Sequence, residues 1–106
     1  MPHDPHHARK AIGDIAPKLA ELTDEVLFGD IWARPGLAPR ERSIATVAAL
    51  IALNRAAQLP FHLRRARDNG LTDEELVELT THLAFYGGWP VAMSALAVLR
   101  QLDDSH

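Results

Sequence analysis

Arginine, glutamate, glutamine and histidine fall in three places where their types and spacing could do chemistry. Arg34, Arg40, Glu41 and Arg42 surround a Pro-Gly loop and the start of an apolar segment. Arginines beside the free amides of a helix N-terminus make a site for a carboxylate. The plainer reading is a solvated turn with an internal Arg–Glu pair, and composition alone favours it. Gln58 and His62 stand four apart, on one helix face, with Arg64, Arg65 and Arg67 behind them. His62 is an acid or base candidate near neutral pH, set against a half-buried imidazole bonded to a carbonyl and a solvated arginine face. The third place is THLAFYGGWP, residues 81–90. His82 and Tyr86 are again four apart. The two glycines let backbones approach closely, or leave room for a small ligand beside Trp89. A packed corner with a satisfied histidine is the alternative.

These side chains must be positioned by helices, because no stretch alternates with period two for long enough to make a strand. Residues 1–7 hold three of the six histidines and two prolines, and read as a flexible tail in preference to a metal-binding one. Residues 8–106 read as one domain of five or six helices. From Pro5 to about Phe28, Ile12, Ile15, Leu19, Leu22 and Val26 recur at helical spacing, with Pro17 expected to kink or split the helix. IWARPGLAP is a loop. Pro39 suits the first turn of RERSIATVAALIALN, which after one charged turn is apolar on nearly every side. Such a helix must be covered all round, and a chain of 106 residues has little to spare for that, so subunit packing is expected. QLPFHLRRARDN is a shorter amphipathic helix closed by Gly70. Thr72–Glu75 is a capping box that opens the next helix. Gly87-Gly88 is expected to stop it, and Pro90 to start the last.

Composition limits what these elements can do. A net charge of -3 argues against nucleic acid as the main partner. Lys10 and Lys18 are the only lysines among eleven cations, so the other nine are arginines suited to bidentate carboxylate contacts. With no cysteine there is no thiolate metal site and no thiol redox chemistry. Outside the N-terminal tail, where His3 and His7 are four apart, no H-x-x-x-H pair occurs, and there is no H-E-x-x-H, phosphate loop or G-x-S-x-G elbow, so no metal and no cofactor is expected. The N-terminus lacks an apolar signal region, and residues 44–53 are about half the length of a membrane span. A cytoplasmic protein with no membrane partner is the expectation.

The ordered blocks GDIWARPGL, RERSIATVAALIAL, QLPFHLRRARDNGLT and THLAFYGGWP resemble the carboxymuconolactone decarboxylase family over roughly residues 17–100. The resemblance implies an all-α, alkylhydroperoxidase D-like bundle packed as a homo-oligomer, usually a trimer or hexamer. In the peroxidase branch a C-x-x-C-x-x-x-H motif would fall on Arg55, Gln58 and His62, and the missing sulfur excludes that activity. The cysteine-free branch matches at Trp32, Arg34, Pro35, Gly36, Arg42, His62, His82, Tyr86 and Pro90. It commonly carries a glutamate where Gln58 stands, a small aliphatic at Trp89 and an asparagine at Met93. The implied function is cofactor-free decarboxylation of a small anionic lactone in aromatic-compound catabolism. His62, His82 and Arg42 are then the catalytic candidates, with the two histidines expected at one pocket. Arg34, Glu41, Gln58, Phe85, Tyr86, Gly88 and Trp89 are the substrate-binding candidates. Two rivals remain: a member acting on another small lactone or keto-acid, and a purely structural oligomerisation module.

Overall fold

The computed structural model describes residues 4–102, and among them every regular element is helical. The all-α expectation holds. The helices are α1 (His7–Ile12), α2 (Pro17–Glu21), α3 (Pro39–Ala52), α4 (Leu59–Asp68), α5 (Asp73–Leu83) and α6 (Trp89–Leu102). A π-helical segment, Leu22–Phe28, continues α2, and a 3-10 turn, Ile31–Ala33, lies in the expected loop. None of the helices is long and apolar enough to cross a membrane. The described residues fall into two compact units that divide between Pro39 and Arg40.

In the first unit Pro17 does split the predicted helix, by taking the first position of α2, where its missing N–H costs nothing. Of the expected tail, residues 1–3 lie outside the described residues. Asp4 leads into α1 by accepting hydrogen bonds from the His6 and Lys10 side of the chain: His6 N–H at 2.9 Å and Lys10 Nζ at 3.0 Å. Helix α1 is held from a distance. Ala8 and Arg9 donate their N–H groups to the two carboxylate oxygens of Asp24, at 2.8 and 3.0 Å. Asp24 is buried for this purpose, in register with Ala20, Phe28 and Trp32 at intervals of four. The apolar series Ile15, Leu19, Leu22 and Val26 stays exposed. Its spacing marks the helix correctly but not the side that is buried.

The second unit holds the larger core. Val47 and Ile51 of α3, Leu59, Leu63 and Ala66 of α4, Leu76 and Leu83 of α5, and Ala95 and Leu102 of α6 form one cluster. Two ties fix the start of α3. Asn69 Nδ2 donates to the buried Ser43 Oγ at 3.0 Å, and Arg40 pairs with Glu75. Because Arg40 meets the start of α5 and Ala52 lies against Gly87 beyond its end, α3 and α5 run in the same direction. Gly70 takes the left-handed backbone expected of it, with φ +102°. The Thr72 box is complete: Glu75 N–H donates to Thr72 Oγ1, and Thr72 N–H donates to Glu75 Oε1, both at 3.0 Å. On α3 only Ser43, Val47 and Ile51 are fully buried, while Ala45, Ala49 and Ala52, and Leu53 just beyond the helix, are exposed.

Candidate active site

The corner after α5 is built differently from the expectation. The helix ends at Leu83, four residues before the glycines, and tightens into turns in which Phe85 and Tyr86 donate to the His82 and Leu83 carbonyls. Each glycine then has its own structural reason. A Cβ on Gly87 would sit 3.1 Å from Ala52 Cα and 3.2 Å from Val91 Cγ2, so Gly87 is the point of close approach to α3. Gly88 has φ +110°, which disfavours any side chain, although a Cβ there would meet only Pro90 Cδ, at an ordinary 3.8 Å. Gly88→Val would strain the backbone before it blocked anything.

Phe85, Tyr86 and Trp89 project from this corner with 72%, 77% and 58% of their surface exposed. Phe85 and Trp89 meet edge to face, centroids 5.1 Å apart. His82 stacks on Tyr86 at 4.9 Å with a tilt of 36°, as residues one helical turn apart can. On its other side His82 lines an open groove of about 340 Å³. The groove has an apolar bed of Ile44, Leu71 and Leu79, and its polar lining is Arg40, Glu75, Glu78 and His82. Arg40 Nη2 donates to Glu75 Oε2, while Glu75 Oε1 takes the Thr72 N–H. The Thr72 amide first, and Arg40 second, hold the Glu75 carboxyl below the usual carboxylate range.

The groove takes in His82 but neither His62 nor Arg42. His62 is half-buried on α4, edge to face with Phe61 at 4.9 Å. Its Nδ1 is out of reach of solvent, as are the Nε atoms of Arg42 and Arg65. Burial, helped by the Arg65 cation, pushes the His62 pKa down to about 4. Gln58 stands exposed at the start of α4, and Glu41 is exposed on α3. Arg42 is half-buried, with its carbonyl accepting from Thr46 Oγ1 at 2.8 Å. Arg34 belongs to the first unit, exposed just after the 3-10 turn. Sequence reasoning used Glu75 only as a cap, not as a site residue, and passed over Glu78. Glu78 stands four residues before His82, which was a usable signal. Glu75 lies 35 residues from Arg40, and nothing local announces that pair.

A sequence model of the carboxymuconolactone decarboxylase family matches residues 17–101. The chain belongs to the carboxymuconolactone decarboxylase family. Within reach of that family likeness, the chain is 40% identical over 91 residues to 4-carboxymuconolactone decarboxylase of Acinetobacter baylyi, covering 86% of this chain and 68% of the relative. It is 36% identical over 81 residues to nitrosuccinic acid decarboxylase of Metarhizium robertsii, covering 76% of this chain and 57% of the relative. An uncharacterized 15.0 kDa protein of Paracoccus denitrificans is 26% identical over 99 residues. The absence of cysteine puts this chain in the family's cysteine-free branch.

Proposed function

We propose that the chain is a cofactor-free carboxy-lyase acting on a small anionic lactone, 4-carboxymuconolactone or a close analogue, in aromatic-compound catabolism. The observation that carries this reading is the 40% identity, over 86% of the chain, to a relative named for that decarboxylation. In such a reaction the bond between carbon and the departing carboxylate breaks, and its electron pair passes into the conjugated lactone. Carbon dioxide leaves, and a proton adds to the carbon framework. Cations that meet the developing charge and an apolar wall that desolvates the carboxylate supply most of the rate. Arg42, which does not line the His82 groove, is proposed as a cation from the family likeness alone. From the same likeness, and outside the groove's own lining, Phe85, Tyr86 and Trp89 are proposed as the wall and Glu41, Gln58 and the Gly88 backbone as the polar edge. We assign proton delivery to His82, which lines the groove. His62, neutral at pH 7 because of its burial, is suited to orient the substrate rather than to donate as an imidazolium.

A second reading keeps the decarboxylation and changes the acid. It is favoured by the relative named for nitrosuccinic acid, together with Gln58, Trp89 and Met93, where the branch commonly has other residues. Carbon dioxide release from 4-carboxymuconolactone, nitrosuccinate and a set of lactone and keto-acids tests both. Turnover of the lactone with kcat/KM at least ~100-fold lower in His82→Asn, the scale of a lost proton donor, is the expected result. Turnover of another acid alone selects the second reading, and turnover of none overturns the decarboxylase.

The working form is proposed to be a homo-oligomer, trimer or hexamer, in the cytoplasm. Supporting it are the outward alanines of α3 and the aromatic corner. If each ring side chain has about 200 Å² to bury, the exposed parts of Phe85, Tyr86 and Trp89 amount to roughly 400 Å². Leu53 and Met93 are exposed as well. An exposed patch of this order is within the range of a monomer's largest, which is often an interaction surface.

A further inference from the structure

The Arg40–Glu75 pair has a geometry that the decarboxylase reading does not use. Both residues line the groove beside His82, and both are less than half exposed at their side chains. The two oxygens of Glu75 have separate duties. Oε1 closes the capping box on Thr72 N–H at 3.0 Å, and Oε2 takes the Arg40 guanidinium. The stem of Arg40 passes the Gly70 turn, where a Cβ would come within 4.0 Å of its Cδ. The guanidinium therefore already holds a carboxylate oxygen at the edge of a groove of a small acid's size. A guanidinium accepts two oxygens side by side, and the Glu75 oxygen presented to it is the one its cap does not need.

We propose that Arg40 is the residue that anchors a substrate carboxylate in this groove, and that Glu75 is its internal competitor, yielding Arg40 to the incoming acid. The proposal rests on the reading of the groove as the substrate site. Glu75 then acts as a filter. A ligand with one weakly placed carboxylate does not displace it, whereas an acid that also finds His82 or the apolar bed does. Glu78, on the same helix face as His82, is the second negative group of the lining. It disfavours ligands whose further carboxylate would fall at that end.

Glu75→Gln separates the two duties, because glutamine completes a capping box as glutamate does but is a poor competitor for a guanidinium. Succinate is the probe, titrated into full-length protein and followed by NMR shifts of the Arg40 and His82 signals. The expected result is a Kd for succinate at least threefold lower in Glu75→Gln than in wild type, and at least tenfold higher in Arg40→Gln. In turnover of whichever acid is a substrate, the same changes fall on KM. A Glu75→Gln affinity equal to or weaker than wild type overturns the proposal, as does the absence of any succinate shift in both proteins. Succinate shifts that follow this pattern without carbon dioxide release from any acid would overturn the decarboxylase reading and leave the anchor standing.

Discussion

His62 refuses a proton in the folded protein that it accepts in the unfolded chain. Its pKa is about 4 when folded, against an ordinary 6.5. Above pH 6.5 both states are neutral there and nothing is lost. Between 6.5 and about 4 the unfolded chain binds a proton that the folded chain excludes, so stability falls as the pH falls. Allowing for the ring's partial contact with water, the loss is roughly 1–2 kcal/mol. Urea midpoints at pH 7 and pH 4.5 check this: the drop should be smaller in His62→Gln by about that amount. At the corner, Gly88→Ala should cost about 1–3 kcal/mol through its backbone conformation. Gly87→Ala should cost about 1–3 kcal/mol through overpacking against Ala52 and Val91. Thermal unfolding measures both, and only Gly87→Ala should be partly relieved by Val91→Ala. Of these residues, the His82–Tyr86 stacking could be read from a spacing of four. The burial of His62 could not, since it depends on what α4 packs against. The proposed role of Arg40 was half visible, as one of four charged residues near a loop, and its partner Glu75 was hidden by distance along the chain.

At the scale of elements, local stop and start signals explain why α3 to α6 were legible. Pro39, the Thr72 box, Gly70 and Pro90 each act within one turn, and the observed ends fall at or beside them. The exception is the end of α5, where three tight turns precede the glycines. Thr72→Ala should cost about 1 kcal/mol by leaving the Glu75 amide uncapped, while Glu75→Gln should leave the melting temperature nearly unchanged. The N-terminal unit was less legible because a polar residue, Asp24, occupies its buried face. Hydrophobic periodicity points the wrong way in such a case, and only the hydrogen bonds to Ala8 and Arg9 reveal the reason. Asp24→Ala removes the acceptor of two amides and should cost about 1–3 kcal/mol. Hydrogen exchange should show the Ala8 and Arg9 amides opening before those of α3.

For the molecule as a whole, the expectation of assembly comes from apolar surface that a single copy leaves uncovered. Light scattering of the wild type should give a multiple of the 11.7 kDa chain mass, and Phe85→Asp should move it toward the single-chain value. A wild-type mass of one chain would end the oligomer proposal. A different consequence follows from the way Asp24 is satisfied. The match to the family model begins at residue 17, but the amides that the Asp24 carboxylate binds belong to residues 8 and 9. A fragment trimmed to the matched region would keep a carboxylate placed for burial and discard the two groups that make its burial tolerable. It should express poorly or clump, although every residue of the family signature is present. In this chain the limits of the matched family model and the limits of a self-sufficient folding piece are set by different residues.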